Sequence, residues 1–199
     1  MKPPLRIVLT GGPCGGKSQL IKELQRDPDW SSQIATLPEA IYIVRQAGFS
    51  PEEQIFQRVM VYLQRAVEDA LTDALSDSGI RAILCHRGSL DPLAYWLDRG
   101  WSQKDFFSFT RTKIEDHYCR YTAVIHLVTA ADGAASFYTR WPEADRHENM
   151  EDAIRLDRFL QQAWSGHPAY YRLDNQNCDW SAKSQAARTI LNILLNASI

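Results

Sequence analysis

The sequence predicts a three-layer α/β fold, a five-stranded parallel sheet with helices on both faces, and three observations predict it. Short β-rich apolar runs recur along the chain with helical patterns between them, and strands joined by crossover helices run parallel. The first run is followed at once by a glycine-rich turn that opens into a helix, which places a binding site at the carboxyl ends of the strands. The length of 199 residues, 45% apolar and 23% charged, suits a single domain over residues 1–199 with average globular usage.

Each element has its own signal. Arg6-Ile7-Val8-Leu9-Thr10 is a β-rich run, and from Lys17 the pattern turns helical through Leu20, Ile21 and Leu24. Ile34 to Pro38 is a second strand ending at Glu39, before a short helical stretch that stops around Gly48. Ser50 as N-cap, Pro51 at the first position and Glu52 and Glu53 in the first turn predict a long helix, with an apolar stripe at Phe56, Val59, Met60, Leu63, Val67 and Leu71. Arg81 to Cys85 is the third strand, Tyr121 to Val128 the fourth and Tyr170 to Leu173 the fifth, before a closing helix from about Ser181 to Leu195.

Composition narrows the partners. A net charge of −2 and a pI near 6.2 lack the basic stripe of a nucleic-acid binder. No apolar run reaches the roughly 18 residues of a membrane-spanning helix, and the start, Met1-Lys2-Pro3-Pro4, leaves no room for a signal peptide, so a cytoplasmic location is expected. Cys14, Cys85, Cys119 and Cys178 lie too far apart for a zinc site or a disulfide framework, and Cys85 reads as core packing.

Gly11-Gly12-Pro13-Cys14-Gly15-Gly16-Lys17-Ser18 fits G-x-x-x-x-G-K-[ST], between a strand and a helix. Glycines let successive backbone N–H groups turn inward around a phosphate, the helix adds its positive N-terminal end, Lys17 neutralises β and γ oxygens, and the Ser18 hydroxyl ligates Mg²⁺. Residues 11–18, with Gln19 in the first helical turn, are therefore the candidates for binding ATP or GTP with Mg²⁺. Cys14 is either a small tolerated residue or a thiol open to oxidation.

With the loop placed, other segments resemble the AAA_28 group of small P-loop NTPases, related to the nicotinamide-riboside kinase domain of a bacterial NAD regulator and to the animal TRPL translocation defect protein. The resemblance rests on Arg6 to Ser18, Leu37-Pro38-Glu39-Ala40, Cys85 to Asp91 with Ala94-Tyr95, and Ala123 to Leu127. It continues through Arg140 to Asp157 and ends at His167-Pro168 and Asn175. It implies a kinase-like order of five parallel strands and an arginine-bearing lid between the fourth and fifth, at about residues 133–150. Members of the group usually carry Asp-Arg-Gly after the third strand; here it reads His86-Arg87-Gly88. An imidazole in that place removes a negative charge beside a divalent cation.

The resemblance also distributes roles. Glu39, at the end of the second strand, is the candidate base or water-mediated Mg²⁺ partner, the alternative being a carboxylate favoured by a helix N-terminus. Arg87 resembles the arginine that related kinases use to hold the acceptor or the transferring phosphate, the alternative being a structural salt bridge. Asp91, before Pro92, caps the following helix or holds the substrate or Arg87. Arg140 and Arg146 are candidates for lid cations that stabilise the transferring phosphoryl group, and Asn175 for a reader of the nucleotide base. Trp96, Trp101, Phe106, Phe107 and Phe109 pack a helix pair or wall an acceptor pocket, and His126 reads as a buried core residue.

The expected activity is a phosphotransferase that moves the γ-phosphoryl group of ATP or GTP to a hydroxyl or phosphate of a small acceptor. The alternative is a regulatory nucleotide-binding module acting on a protein or phosphoinositide partner. The acceptor is not identified by the sequence, which allows a homodimer without requiring one.

Overall fold

The computed structural model describes residues 3–138, 149–176 and 179–197. The chain begins with β1 (Leu5–Thr10), whose Ile7, Val8 and Leu9 have no solvent exposure. A strand covered on both faces reads as an unbroken apolar run, and β1 is the centre of the sheet. It is followed by α1 (Lys17–Arg26), α2 (Pro28–Ser31), β2 (Ile34–Leu37), α3 (Ile41–Gln46) and α4 (Gln54–Leu75). Then come β3 (Ala82–His86), α5 (Asp91–Asp98), α6 (Gln103–Thr110), α7 (Ile114–Tyr118) and β4 (Ala123–Leu127). A short 3₁₀ turn (Ala135–Phe137), α8 (Met150–Trp164), β5 (Tyr170–Leu173) and α9 (Trp180–Asn196) complete it.

The five strands are parallel in the order β2-β3-β1-β4-β5, as the sequence predicts. Because successive side chains point to opposite faces, β1 sends Ile7 and Leu9 into one core and Val8 into another. The first core packs Leu20 and Leu24 of α1 with Leu191 and Leu195 of α9. The second gathers Leu93 and Trp96 of α5, Phe106 of α6 and Trp164 of α8. The strand order reverses around β1, which opens a crevice at its carboxyl end between β3 and β4. No helix of the described residues is long and apolar enough to cross a membrane.

Two details differ from the sequence reading. α4 starts at Gln54 after Glu53, not at Pro51, because Ser50 closes a turn: its hydroxyl accepts from the Glu52 N–H at 3.3 Å and its carbonyl from the Glu53 N–H at 3.1 Å. The stretch between α5 and β4 holds two helices that apolar periodicity alone did not separate. α6 begins where Ser102 accepts from the Asp105 N–H at 3.1 Å. The aromatics of α5, α6 and the turn between them pack together, Trp96 standing edge-on to Trp101 at 4.8 Å and to Phe106 at 5.7 Å, and Trp96 and Phe109 also line a cavity with Arg58 and Arg111. Cys85 is buried, as read, and burial pushes its thiol well up.

On α7, His117 is fully buried between Ser89 Oγ at 2.9 Å and Thr112 Oγ1 at 3.0 Å. Burial, then the charge of Arg65, lowers its pKa to about 4, against a pull upward from Asp116. The unfolded chain therefore takes up this proton near pH 6.5, before the folded one does. Stability should be lost as pH falls from about 6.5 to about 4, at up to about 1.4 kcal/mol per unit from this residue. Urea unfolding across that range should show the slope, and His117→Asn should flatten it.

Candidate nucleotide-binding site

The turn after β1 wraps tightly against β4. Gly11 has φ +123°, and a Cβ there would stand 2.0 Å from the Leu127 carbonyl oxygen; Gly16 has φ +96°, and its Cβ would meet the Trp180 ring at 2.0 Å. Both positions require glycine. Cys14, in the left-handed region at φ 55°, has its carbonyl bonded by Ala130 N–H at 3.3 Å. The Thr129 hydroxyl donates to the Pro13 carbonyl, and Gly15 N–H closes the turn on Gly12 O at 3.3 Å. α1 then starts at Lys17, leaving its first N–H groups without helical acceptors, an anion-binding end. The Gln19 amide lies outside the cradle, donating to Glu23 at 2.9 Å on an exposed face.

Lys17 is buried, and its ammonium donates to Gly11 O at 2.6 Å and Gly12 O at 2.9 Å. Burial and the charge of Arg87 lower its pKa to about 7, while Glu39, Asp91 and Asp157 pull the other way. A phosphate would supply the counter-charge that the carbonyls do not.

The end of β3 and the end of β2 face this loop. Ser18 Oγ lies 3.0 Å from His86 Nε2. Burial, followed by the cations Lys17 and Arg87, outweighs the upward pull of Glu39 and brings the His86 pKa to about 4, so the imidazole is neutral at pH 7. His86 Nδ1 is buried without a hydrogen-bond partner among the described residues, 3.6 Å from Glu39 Oε2. Arg87 has φ 74°, a left-handed conformation rare for a residue with a side chain. It donates from Nε to Glu39 Oε1 at 2.6 Å and from a terminal nitrogen to Asp91 Oδ2 at 3.2 Å, and its guanidinium lies 5.4 Å from the Tyr95 ring. Burial alone would raise the Glu39 carboxyl; the Arg87 charge and hydrogen bond, with His86 and Lys17, instead hold it at about 2. Both members of the pair are charged at neutral pH.

Asp91 is 1% exposed. Besides Arg87, it accepts from Thr10 Oγ1 at 2.9 Å, Gly88 N–H at 3.3 Å and Trp164 Nε1 at 2.8 Å. Of the alternatives open in the sequence, it holds Arg87: α5 takes Leu90 as its N-cap without a side-chain cap bond, and the Asp91 carboxylate is enclosed away from a substrate.

Asn175 differs from its expected part. Its amide nitrogen donates to Thr129 O at 2.7 Å and Asp132 O at 2.6 Å, and its oxygen accepts from Lys183 Nζ at 2.9 Å. An amide whose two hydrogens are spent inside the protein does not read a base; Asn175 clamps the loop after β4 to the loop after β5. Arg140 and Arg146 lie outside the described residues, as does most of the lid-like segment, 139–148, and Cys178.

His126 is wholly buried, as expected, with Nε2 3.1 Å from Asp157 Oδ1. Asp157 itself carried a readable signal, because it stands in line with the apolar stripe of Ala153, Leu156, Leu160 and Trp164 on α8, where a carboxylate needs partners.

Mg²⁺ asks for oxygen ligands and keeps several waters. The Ser18 hydroxyl and Glu39 Oε2 suit such a partly hydrated ion together with phosphate oxygens. Among the described residues no group of three or more His, Cys, Asp or Glu side chains forms a cage.

Among the solved structures that match are deoxyadenosine kinases from M. mycoides. One, with the products dCMP and a flexible dCDP, matches at a TM-score of 0.58 and 15% identity, over 94% of this chain and 99% of that one. Another, with bound dATP, matches at 0.59 and 14%, and a third, with bound dCTP, at 0.55 and 15%, with the same coverage. At this identity the likeness shows the fold, that of a P-loop kinase. No curated protein matches the chain. The sequence profile of the AAA_28 family, described as an AAA domain, matches residues 6–183, so the chain belongs to the AAA_28 family.

Proposed function

We propose that the protein is a phosphotransferase that binds ATP or GTP at residues 11–18 and moves the γ-phosphoryl group to a small acceptor held at Glu39 and Arg87. One observation carries this role: a charged carboxylate and a charged guanidinium, paired at 2.6 Å, converge on the phosphate loop, with a terminal nitrogen of Arg87 3.5 Å from Gly11 O. A purely structural pair has no need to face a phosphate cradle.

In the proposed reaction Lys17 leaves its two carbonyls for the β and γ oxygens. Arg87 makes paired bonds to the transferring or acceptor phosphate. Glu39 accepts a hydrogen bond from the acceptor hydroxyl and aims its oxygen at the γ-phosphorus. As the new O–P bond forms, the bond from that phosphorus to the β–γ bridging oxygen breaks, the nucleoside diphosphate leaves, and the hydroxyl proton passes to Glu39. A carboxylate with a pKa of about 2 is a weak base, which suits a loose transition state in which positioning and electrostatics dominate. Mg²⁺, when bound, neutralises charge on the phosphates from the side of Ser18. Arg140 and Arg146 are proposed to add positive charge from the lid-like segment.

The contact between Ser18 and a neutral His86 favours a second reading. In it, metal-assisted turnover is slow, and the nucleotide acts as a switch for a protein or phosphoinositide partner. His86→Asp separates the two readings. It should raise Mg²⁺-dependent turnover by roughly tenfold, the scale of outer-shell effects at metal sites; an unchanged or lower rate would show that the histidine is more than a lost carboxylate. Acceptor-dependent release of nucleoside diphosphate tests the proposed activity itself: a kinase accelerates with the right small molecule, a switch with a lipid or protein.

A further inference from the structure

A buried carboxylate behind the phosphate loop has no part in the chemistry above. Asp157 of α8 is 1% exposed and takes five hydrogen-bond contacts. Its Oδ1 receives Gly12 N–H at 2.6 Å, Thr129 N–H at 3.2 Å and His126 Nε2 at 3.1 Å. Its Oδ2 receives Gln161 Nε2 at 2.7 Å and His126 Nε2 at 3.2 Å. A carboxylate so close to an anion site works against phosphate by simple charge. Its place needs another reason.

The Gly11–Gly12 peptide gives one. It is trans, so its C=O and N–H point in opposite directions. The N–H points at Asp157. The carbonyl of the same plane, Gly11 O, points the other way and meets Lys17 Nζ at 2.6 Å and Arg87 at 3.5 Å. Between two glycines little else resists a flip of this plane. A flip would turn the carbonyl oxygen onto the carboxylate and an N–H onto the two cations, unfavourable on both sides.

We propose that Asp157 is a positioning residue of the nucleotide site: by holding Gly12 N–H it fixes the Gly11–Gly12 peptide plane, and so the places of Lys17 and Arg87 before nucleotide arrives. This rests on the loop being a nucleotide site. His126, Thr129 and Gln161 fix the carboxylate in turn, which ties the loop to β4 and α8. Geometry rather than charge is what Asp157 supplies.

Two replacements separate geometry from charge in the full chain. Asp157→Asn keeps an oxygen for Gly12 N–H and loses the charge; Asp157→Ala loses both. Titration calorimetry with ATP and with GTP should give the asparagine variant a Kd within about threefold of wild type, and the alanine variant one weaker by roughly thirtyfold, the scale of a buried amide left unpaired. An alanine variant that binds within twofold of wild type while melting earlier would reduce Asp157 to a structural residue and overturn the inference alone. An asparagine variant that binds tenfold tighter would overturn it too, since the carboxylate would then act by charge. Wild-type protein that binds neither nucleotide would overturn the inference together with the proposed function. Should the alanine variant not fold, hydrogen exchange of the Gly12 amide in glycine-labelled wild type decides: slow exchange without nucleotide supports the proposal, and free exchange contradicts it.

Discussion

Lys17→Ala is expected to remove nearly all nucleotide affinity. Truncating one member of a buried charged contact costs about 2–5 kcal/mol, which is roughly 30-fold to several thousandfold in Kd. The ammonium already sits inside the loop on Gly11 O and Gly12 O, so alanine also removes those two contacts and leaves Gly11 O with Arg87 at 3.5 Å and Gly12 O with the Gly15 N–H at 3.3 Å. Calorimetry with ATP and GTP measures the effect. Micromolar binding retained by the variant would sink the assignment of residues 11–18.

Glu39→Gln is expected to act on transfer and to leave binding alone. The amide can still take a hydrogen bond from Arg87 only through its oxygen, it turns an NH₂ toward the acceptor hydroxyl, and it cannot take the proton. Acceptor-dependent turnover should fall about 10²- to 10⁴-fold, the usual range for a positioned proton acceptor, with nucleotide Kd changed by less than about threefold. Steady-state rates beside binding isotherms separate the two. Equal losses in both would mean that Glu39 only holds Arg87 in place, the structural salt bridge that the sequence leaves open.

The phosphate loop and the five parallel strands were legible because their signals are local. A glycine at φ +123° and another at φ +96°, a lysine and a serine in fixed spacing, and apolar runs such as Ile7-Val8-Leu9 are each contained within a few residues. What was not legible depends on partners far along the chain. Asp157 meets Gly12 across 145 positions, and Asn175 meets Thr129 across 46. A side chain that looks free to read a base is spent once that distant carbonyl arrives. The polar inner face of α4 shows the same limit. Gln64 reaches the Arg87 carbonyl at 3.1 Å, and Glu68, fully buried, is held by Tyr121 at 2.7 Å and Arg120 at 3.0 Å. The apolar stripe that announced the helix says nothing of these. His86 was read from sequence as a changed residue, and the contact with Ser18 appears only when the ends of α1 and β3 are brought together.

The most direct test is the rate of nucleoside diphosphate release from MgATP and MgGTP, with and without a panel of nucleosides, vitamins and phosphoinositides. The proposed phosphotransferase predicts that one small acceptor accelerates release many-fold, with one phosphorylated acceptor formed for each diphosphate. Nucleotide bound tightly but released at a rate that no small molecule changes, or that only a lipid changes, would contradict it.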